Sequence, residues 1–312
     1  MRRTFQIYKL LLLIFVIFTL VTAQPGCTVN LGDGSAVGSS EHLLLNKSFT
    51  ATSGEKLMIN ASGADVKVSS WNKNEVSVKI YGKEKAGEYV DIFAERSSAG
   101  VLVEIKNKSI IKWVNNLGLK IEVVTPEKYS ANIETSGGDV EIKDISGSLL
   151  IGTSGGDIKM MNLSGSLIAK TSGGDISLEK FDGSVEMKTS GGDVKIREGK
   201  GSVDAGTSGG DIDVQTASGT VNLGTSGGDI KLRYTGENQG INCRTSGGDI
   251  MVSVPADLKA EVALESVGGS VRCNLDATGV SMDKNKFSGN INGGGPRVIC
   301  KTSGGSVSLK KE

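Results

Sequence analysis

Seven aspartates in this sequence close the same pentapeptide. Asp139, Asp157, Asp175, Asp193, Asp211, Asp229 and Asp249 each end a Thr-Ser-Gly-Gly-Asp element, the first beginning at Thr135 and the last at Thr245. Five of the six spacings are 18 residues and the last is 20. Carboxylates recurring at a fixed period could do two kinds of chemistry. In a column they could hold calcium between neighbouring chain segments, because calcium takes oxygen ligands. Alternatively, each could accept backbone N–H groups at a glycine corner, as Asp side chains do in Asx turns. Carboxylates about 4.8 Å apart repel by roughly 0.9 kcal/mol in water, so either arrangement must offset that repulsion.

The spacing favours the turn. Calcium-binding nine-residue solenoids carry GGxGxDxUx, whereas here Asp directly follows Gly-Gly. One carboxylate per period is also few for a calcium coordination sphere. Halfway between the aspartates the chain places Ser148, Ser166, Ser184, Ser202 and Thr220, which can make the same turn bond more weakly. Gly155, Gly156 and Asp157, and likewise Gly173, Gly174 and Asp175, are therefore read as structural corners, with the glycines supplying positive φ. No metal or other cofactor is assigned.

Other reactive groups are sparse. His42 is the only histidine and lies outside the repeats, which leaves a Ser-His-Asp triad without a base. The four cysteines show no CxxC or zinc spacing. Cys243, Cys273 and Cys300 fall in inward register positions and read as buried free thiols, with a Cys273–Cys300 bridge as an alternative. A single threonine file at a corner is too narrow for an ice-binding surface. After residue 131 the only aromatics are Phe181, Tyr234 and Phe287, thin support for a sugar-cleaving groove despite acid pairs such as Asp211/Asp213.

These residues need elements that bring them into register. The pentapeptide alternates with a weaker motif, SGS at 146 and 164 or DGS at 182, so the true unit has nine residues, two per 18-residue period. Each unit ends in a short alternating run. Val140/Ile142, Ile158/Met160 and Ile176/Leu178 exemplify one series, and Leu149/Ile151, Leu167/Ala169 and Val185/Met187 the other. Period-two alternation with β-branched residues predicts half-buried strands. A nine-residue strand and turn cannot bury its apolar face alone, whereas stacked coils can. The expected fold is all-β: a parallel β-solenoid of 18-residue coils, each made of two strand-turn units. Matches at 52–60 and 61–69 start the solenoid near Thr52, before a strand-rich interruption containing Trp71 and Trp113. Lys310 and Lys311 are expected to charge an exposed terminal edge.

The remaining composition fits an exported chain. Arg2, Arg3, an apolar run from Leu10 to Val21, and Val21-Thr22-Ala23 read as a signal peptide cleaved after Ala23. Cys27 follows as a possible lipidation site, although an aliphatic residue is missing three positions before it. Without residues 1–23 the chain has 32 basic and 35 acidic groups and no basic cluster, which argues against nucleic-acid binding. The organisation expected is a signal peptide over 1–23, a linker over 24–44, an N-terminal β region over 45–130 and the repeat domain over 131–312.

The stretch ASGADVKVSSWNKNEVSVKI (61–80), followed by VTPEKYSANIETSGGDVEI (124–142) and the GD[IV] repeats, resembles the bacterial putative-adhesin family of exported β-strand-repeat proteins. The likeness covers residues 45 to 312. It implies a single-stranded, right-handed β-helix in the cell envelope or outside the cell, with no catalytic residues to carry over. The expected function is a non-enzymatic, adhesin-like or scaffolding module that contacts an extracellular protein or glycan surface. A membrane would be met only through a lipid anchor. The alternatives are a carbohydrate-active enzyme on the same fold and a calcium-stabilised repeat protein.

Overall fold

The structure is a computed structural model that describes residues 41–52, 54–108 and 117–312. It is a β-solenoid with two parallel walls joined by two corners. The chain runs along one wall, turns, returns along the other and turns again, rising by one coil each time. The strands Val140–Thr153, Ile158–Lys170, Ile176–Lys188 and Val194–Gly206 each cover both walls and the corner between them, and they pair in parallel. Their register advances by 18 residues, so that Ile158 faces Val140 on one side and Ile176 on the other.

The alternation dictates the packing. Every inward pair of the repeats is buried, including Ile158/Met160, Leu167/Ala169, Ile212/Val214 and Val221/Leu223. Burial of one such aliphatic side chain contributes about 1.5–3 kcal/mol, and each coil supplies four. Leu57/Ile59 and Val66/Val68 continue both files at the N-terminal end, as the nine-residue template requires.

Sequence order and spatial order part at both ends. The first coil of the chain, Lys56–Ala61 with Asp65–Trp71, does not lie outermost. It is sandwiched between a later coil, Gly100–Asn107 with Lys120–Pro126, and the strands Ser130–Thr135 and Val140–Thr153. Antiparallel strands cover that later coil: Val90–Ser97 on one wall, Glu75–Gly82 on the other, and His42–Thr50 beyond it.

The C-terminal end repeats the device. Arg297–Thr302 lies between Ile241–Arg244 and Ala260–Ser266. Val307–Lys311 lies between Ile250–Val254 and Val271–Cys273. The last coil in sequence is thus an inner coil in space. Lys310 and Lys311 pair with Ser253 and Val254 on one side, while the pairing with Val271–Cys273 on the other side stops at Leu309. The antiparallel hairpin Ala277–Asp283 and Lys286–Ile291 covers the outermost coil on one wall.

Candidate functional site

The Thr-Ser-Gly-Gly-Asp corner is a lattice of bonds between coils. Thr153 is 7% exposed, and its hydroxyl donates to the Gly138 carbonyl at 3.0 Å and accepts the Gly156 N–H at 3.4 Å. Thr171, Thr189, Thr207, Thr225, Thr245 and Thr302 repeat both contacts. The threonine file is therefore inside the corner, which removes it as an ice-binding surface.

The aspartates form a second ladder alongside. The Asp157 N–H donates to Asp139 Oδ1 at 2.8 Å, the Asp175 N–H to Asp157 Oδ1 at 2.9 Å, and the Asp193 N–H to Asp175 Oδ1 at 2.8 Å. Asp211, Asp229 and Asp249 continue it at 2.7 Å each. At the N-terminal end Asp65 accepts from Asp139, and past Asp249 the next donor in space is Ser306, at 2.7 Å. Ser306 Oγ in turn accepts the Ser270 N–H at 3.2 Å. The bond expected inside one turn is made instead between coils, because the corner aims the Asp N–H along the stack. Among the described residues no group of three or more His, Cys, Asp or Glu side chains could hold a metal ion.

The glycines act differently from the expectation. Gly155, Gly156, Gly173 and Gly174 are not among the positive-φ residues. A Cβ on Gly156 would lie 2.2 Å from the Gly138 carbonyl oxygen, and one on Gly174 would lie 2.1 Å from that of Gly156. Close approach of successive corners thus requires the second glycine. A Cβ on Gly155 would meet nothing within 4 Å, and one on Gly173 only ordinary contacts from 3.6 Å.

Positive φ is found at the opposite corner. Asp144, Asn162, Lys180 and Glu198 lie at +61°, +53°, +56° and +52°, one beneath another in four successive coils. Asp and Asn tolerate this region, whereas Lys and Glu do so at a cost of order 1 kcal/mol or more. A groove of about 740 Å³ runs along the stack at this corner. Its floor includes buried Ile145, Leu163, Phe181 and Thr216. One rim carries Asp144, Asn162, Lys180 and Glu198, the other Ser146, Ser164, Asp182 and Lys200. Glu127 and Thr235 lie towards its two ends. Asn162 Nδ2 donates to Asp144 Oδ1 at 2.7 Å, bridging two coils along the rim. From Glu127 to Thr235 the lining spans seven coils, which at about 4.8 Å per step makes the groove roughly 29 Å long. The Asp-Asn start of this file was the available sequence signal for it; Lys180 and Glu198 obscured it.

The other candidates separate. Cys243 and Cys300 are fully buried and face each other across adjacent strands. Cys273 is half-buried beside Leu309 on the other wall, so the register does not bring it to Cys300. Asp213 is paired with Arg197 at 2.5 Å, while Asp211 accepts the Asp229 N–H, so this acid pair is divided between two structural contacts. His42 is exposed at the start of the outermost N-terminal strand. Ala23, Cys27 and Trp113 lie outside the described residues. No helix among the described residues is long and apolar enough to cross a membrane.

Solved bacterial structures cover most of this chain at low identity. One from Bacteroides fragilis, named a putative adhesin, is 13% identical, with 86% of this chain and 96% of that chain aligned and a TM-score of 0.33. One from Parabacteroides distasonis, named a putative lipid binding protein, is 18% identical over 88% and 97% of the two chains, with a TM-score of 0.39. A putative cell adhesion protein from Clostridium sporogenes is 14% identical over 86% and 99%, with a TM-score of 0.19. No curated protein matches the chain significantly. The model of the Toastrack DUF4097 family matches residues 49–310, and the chain belongs to that family.

Proposed function

We propose that this protein is an exported, non-catalytic solenoid that binds an extended partner on the outside of the cell or in its envelope. The observation that carries this reading is the groove at the kinked corner, whose polar rims repeat once per coil over an apolar floor. A partner with a similar repeat can make the same contact several times. An extended peptide fits poorly, because its same-face side chains recur at about 6.4–6.8 Å against about 4.8 Å for the coils. Nucleic acid is disfavoured by charge, since Glu127, Asp144, Asp182 and Glu198 outnumber Lys180 and Lys200. An uncharged glycan chain, with hydroxyls to meet carboxylate, amide and hydroxyl groups, is the partner class that these features favour.

Glycan-array binding, run beside a turnover assay on the same polysaccharides, tests this. Binding without product, weakened by Asn162→Ala and Asp182→Ala, is the expected result. Turnover lost on replacing one groove acid would establish the enzyme reading instead. Binding unaffected by either rim substitution would move the contact to another face.

A further inference from the structure

We infer that Cys243 and Cys300 are a disulfide site that clasps the intercalated C-terminal coil to the body of the solenoid. The inference is independent of the partner proposed above. The two residues are direct register partners on adjacent parallel strands, Ile241–Arg244 and Arg297–Thr302. Such strands lie about 4.7–4.9 Å apart, inside the 4.4–6.8 Å Cα range of disulfides. Both side chains are fully buried and sit opposite each other in the register. On either side, the same inward file holds Leu223 and Leu264. The two small sulfur side chains therefore meet at the one seam in this file where the chain's last coil has been inserted out of sequence order.

The segment that must be inserted is preceded by a hinge. Asn292, Gly293 and Gly294 all have positive φ, and Gly295 and Pro296 complete the passage to Arg297. Before the coil seats, Cys300 is open to solvent. Its thiolate can then attack a small-molecule disulfide such as oxidised glutathione, forming a mixed disulfide and releasing one thiol. Seating brings Cys243 beside it. The Cys243 thiolate attacks the Cys300 sulfur, the second glutathione thiolate leaves and takes up a proton, and the protein disulfide forms. Two protein thiols are oxidised and one glutathione disulfide is reduced to two thiols. Once the coil is seated, the neighbouring Cys300 thiol and burial push the Cys243 thiol well above its ordinary pKa, so the unbridged pair is inert.

The experiment is refolding of the full chain from reduced, denatured protein in a glutathione redox buffer, followed by alkylation and peptide mapping under non-reducing conditions. The expected product links the peptides carrying Cys243 and Cys300, with Cys273 alkylated. Its thermal midpoint should exceed that of the reduced protein by about 5 °C or more. Cys300→Ser should abolish both the link and the shift, whereas Cys273→Ser should leave both in place. A dominant link through Cys273, or free Cys243 and Cys300 after refolding in oxidant, would overturn the inference. Because the mapping is read on the unsubstituted chain, it decides the matter even where a serine variant folds poorly.

Discussion

Replacement of Thr171 by valine separates two accounts of the threonine file by the sign of its effect. The side chain is 6% exposed, and valine has nearly its shape. If the file were merely core, exchanging a hydroxyl for a methyl would add apolar burial and stabilise the protein by about 0.8 kcal/mol. The structure gives the hydroxyl two partners: it donates to the Gly156 carbonyl at 3.0 Å and accepts the Gly174 N–H at 3.4 Å. The second contact is long and contributes less. Valine leaves both backbone groups unanswered in a buried corner, where one unsatisfied group costs about 1–3 kcal/mol. The net expectation for Thr171→Val is a loss of about 1–2 kcal/mol. Thr171→Ser keeps the hydroxyl, deletes one methyl and should lose less than the valine variant.

Urea unfolding followed by two probes is the assay. Coincident transitions are required before ΔG is compared, because long repeat arrays can unfold in stages. A valine variant as stable as the parent, with the serine variant weaker, would refute the reasoning and make the file an ordinary apolar column. Thr153→Val combined with Thr171→Val should not be additive, because both hydroxyls bond Gly156.

The other predictions concern the same two corners and the C-terminal seam. Gly174→Ala drives a Cβ to 2.1 Å from the Gly156 carbonyl oxygen and should cost more than about 3 kcal/mol or prevent folding. Gly173→Ala should stay within about 1 kcal/mol, and equal losses for the two in denaturant melts would contradict the close-approach account. Asp193→Asn keeps an acceptor for the Asp211 N–H and removes a like charge from the column, so stability should hold or rise by up to about 1 kcal/mol. Neither EDTA nor excess calcium should then shift the melting temperature of the parent; a rise with calcium would restore the ion-binding reading. Hydrogen bonds from Lys286 and Lys301, with the charges of both, hold the Glu265 carboxyl down at about 2. A depressed carboxyl stabilises the fold fully above its unfolded pKa of about 4.3, and that contribution is lost as pH falls towards 2. Glu265→Gln should flatten the acid limb of the stability profile over that window, and an unchanged acid limb would show that the contact does not contribute.

The sequence made the walls readable because their side chains answer to one rule. Inward positions such as Ile212/Val214 must be apolar in every coil, so the alternation survives whatever the outward residues do. The corners are less legible. Gly156 and Gly174 looked like residues chosen for φ, but their backbone is ordinary. What they need is space beneath the next coil, which only a stacked neighbour defines. The aspartate bond likewise runs to the next coil and not within one turn, and a sequence displays local partners while concealing those a coil away. The groove is not legible in the sequence because its file, Asp144, Asn162, Lys180 and Glu198, shares a backbone conformation and no chemical type.

The ends were the least readable for a deeper physical reason. In a solenoid built of near-identical coils, each strand edge accepts almost any other coil in the same register, so hydrogen bonding alone does not specify the stacking order. Something at each end must break that equivalence. At the N-terminal end the coil beginning at Gly100 is covered by antiparallel strands, and the coil at Lys56 is held between two others. At the C-terminal end the hairpin 277–291 covers the outer coil, and Arg297–Lys311 closes the slot beneath it. Both solutions bury the first and last coils, which would otherwise be the strands easiest to peel away, and cover the ends with antiparallel strands. The ladder of corner bonds then runs through the seam unbroken, from Asp249 to Ser306 to Ser270, in spatial order and against sequence order. Serine in place of aspartate at these last two rungs keeps an acceptor while ending the column of charge.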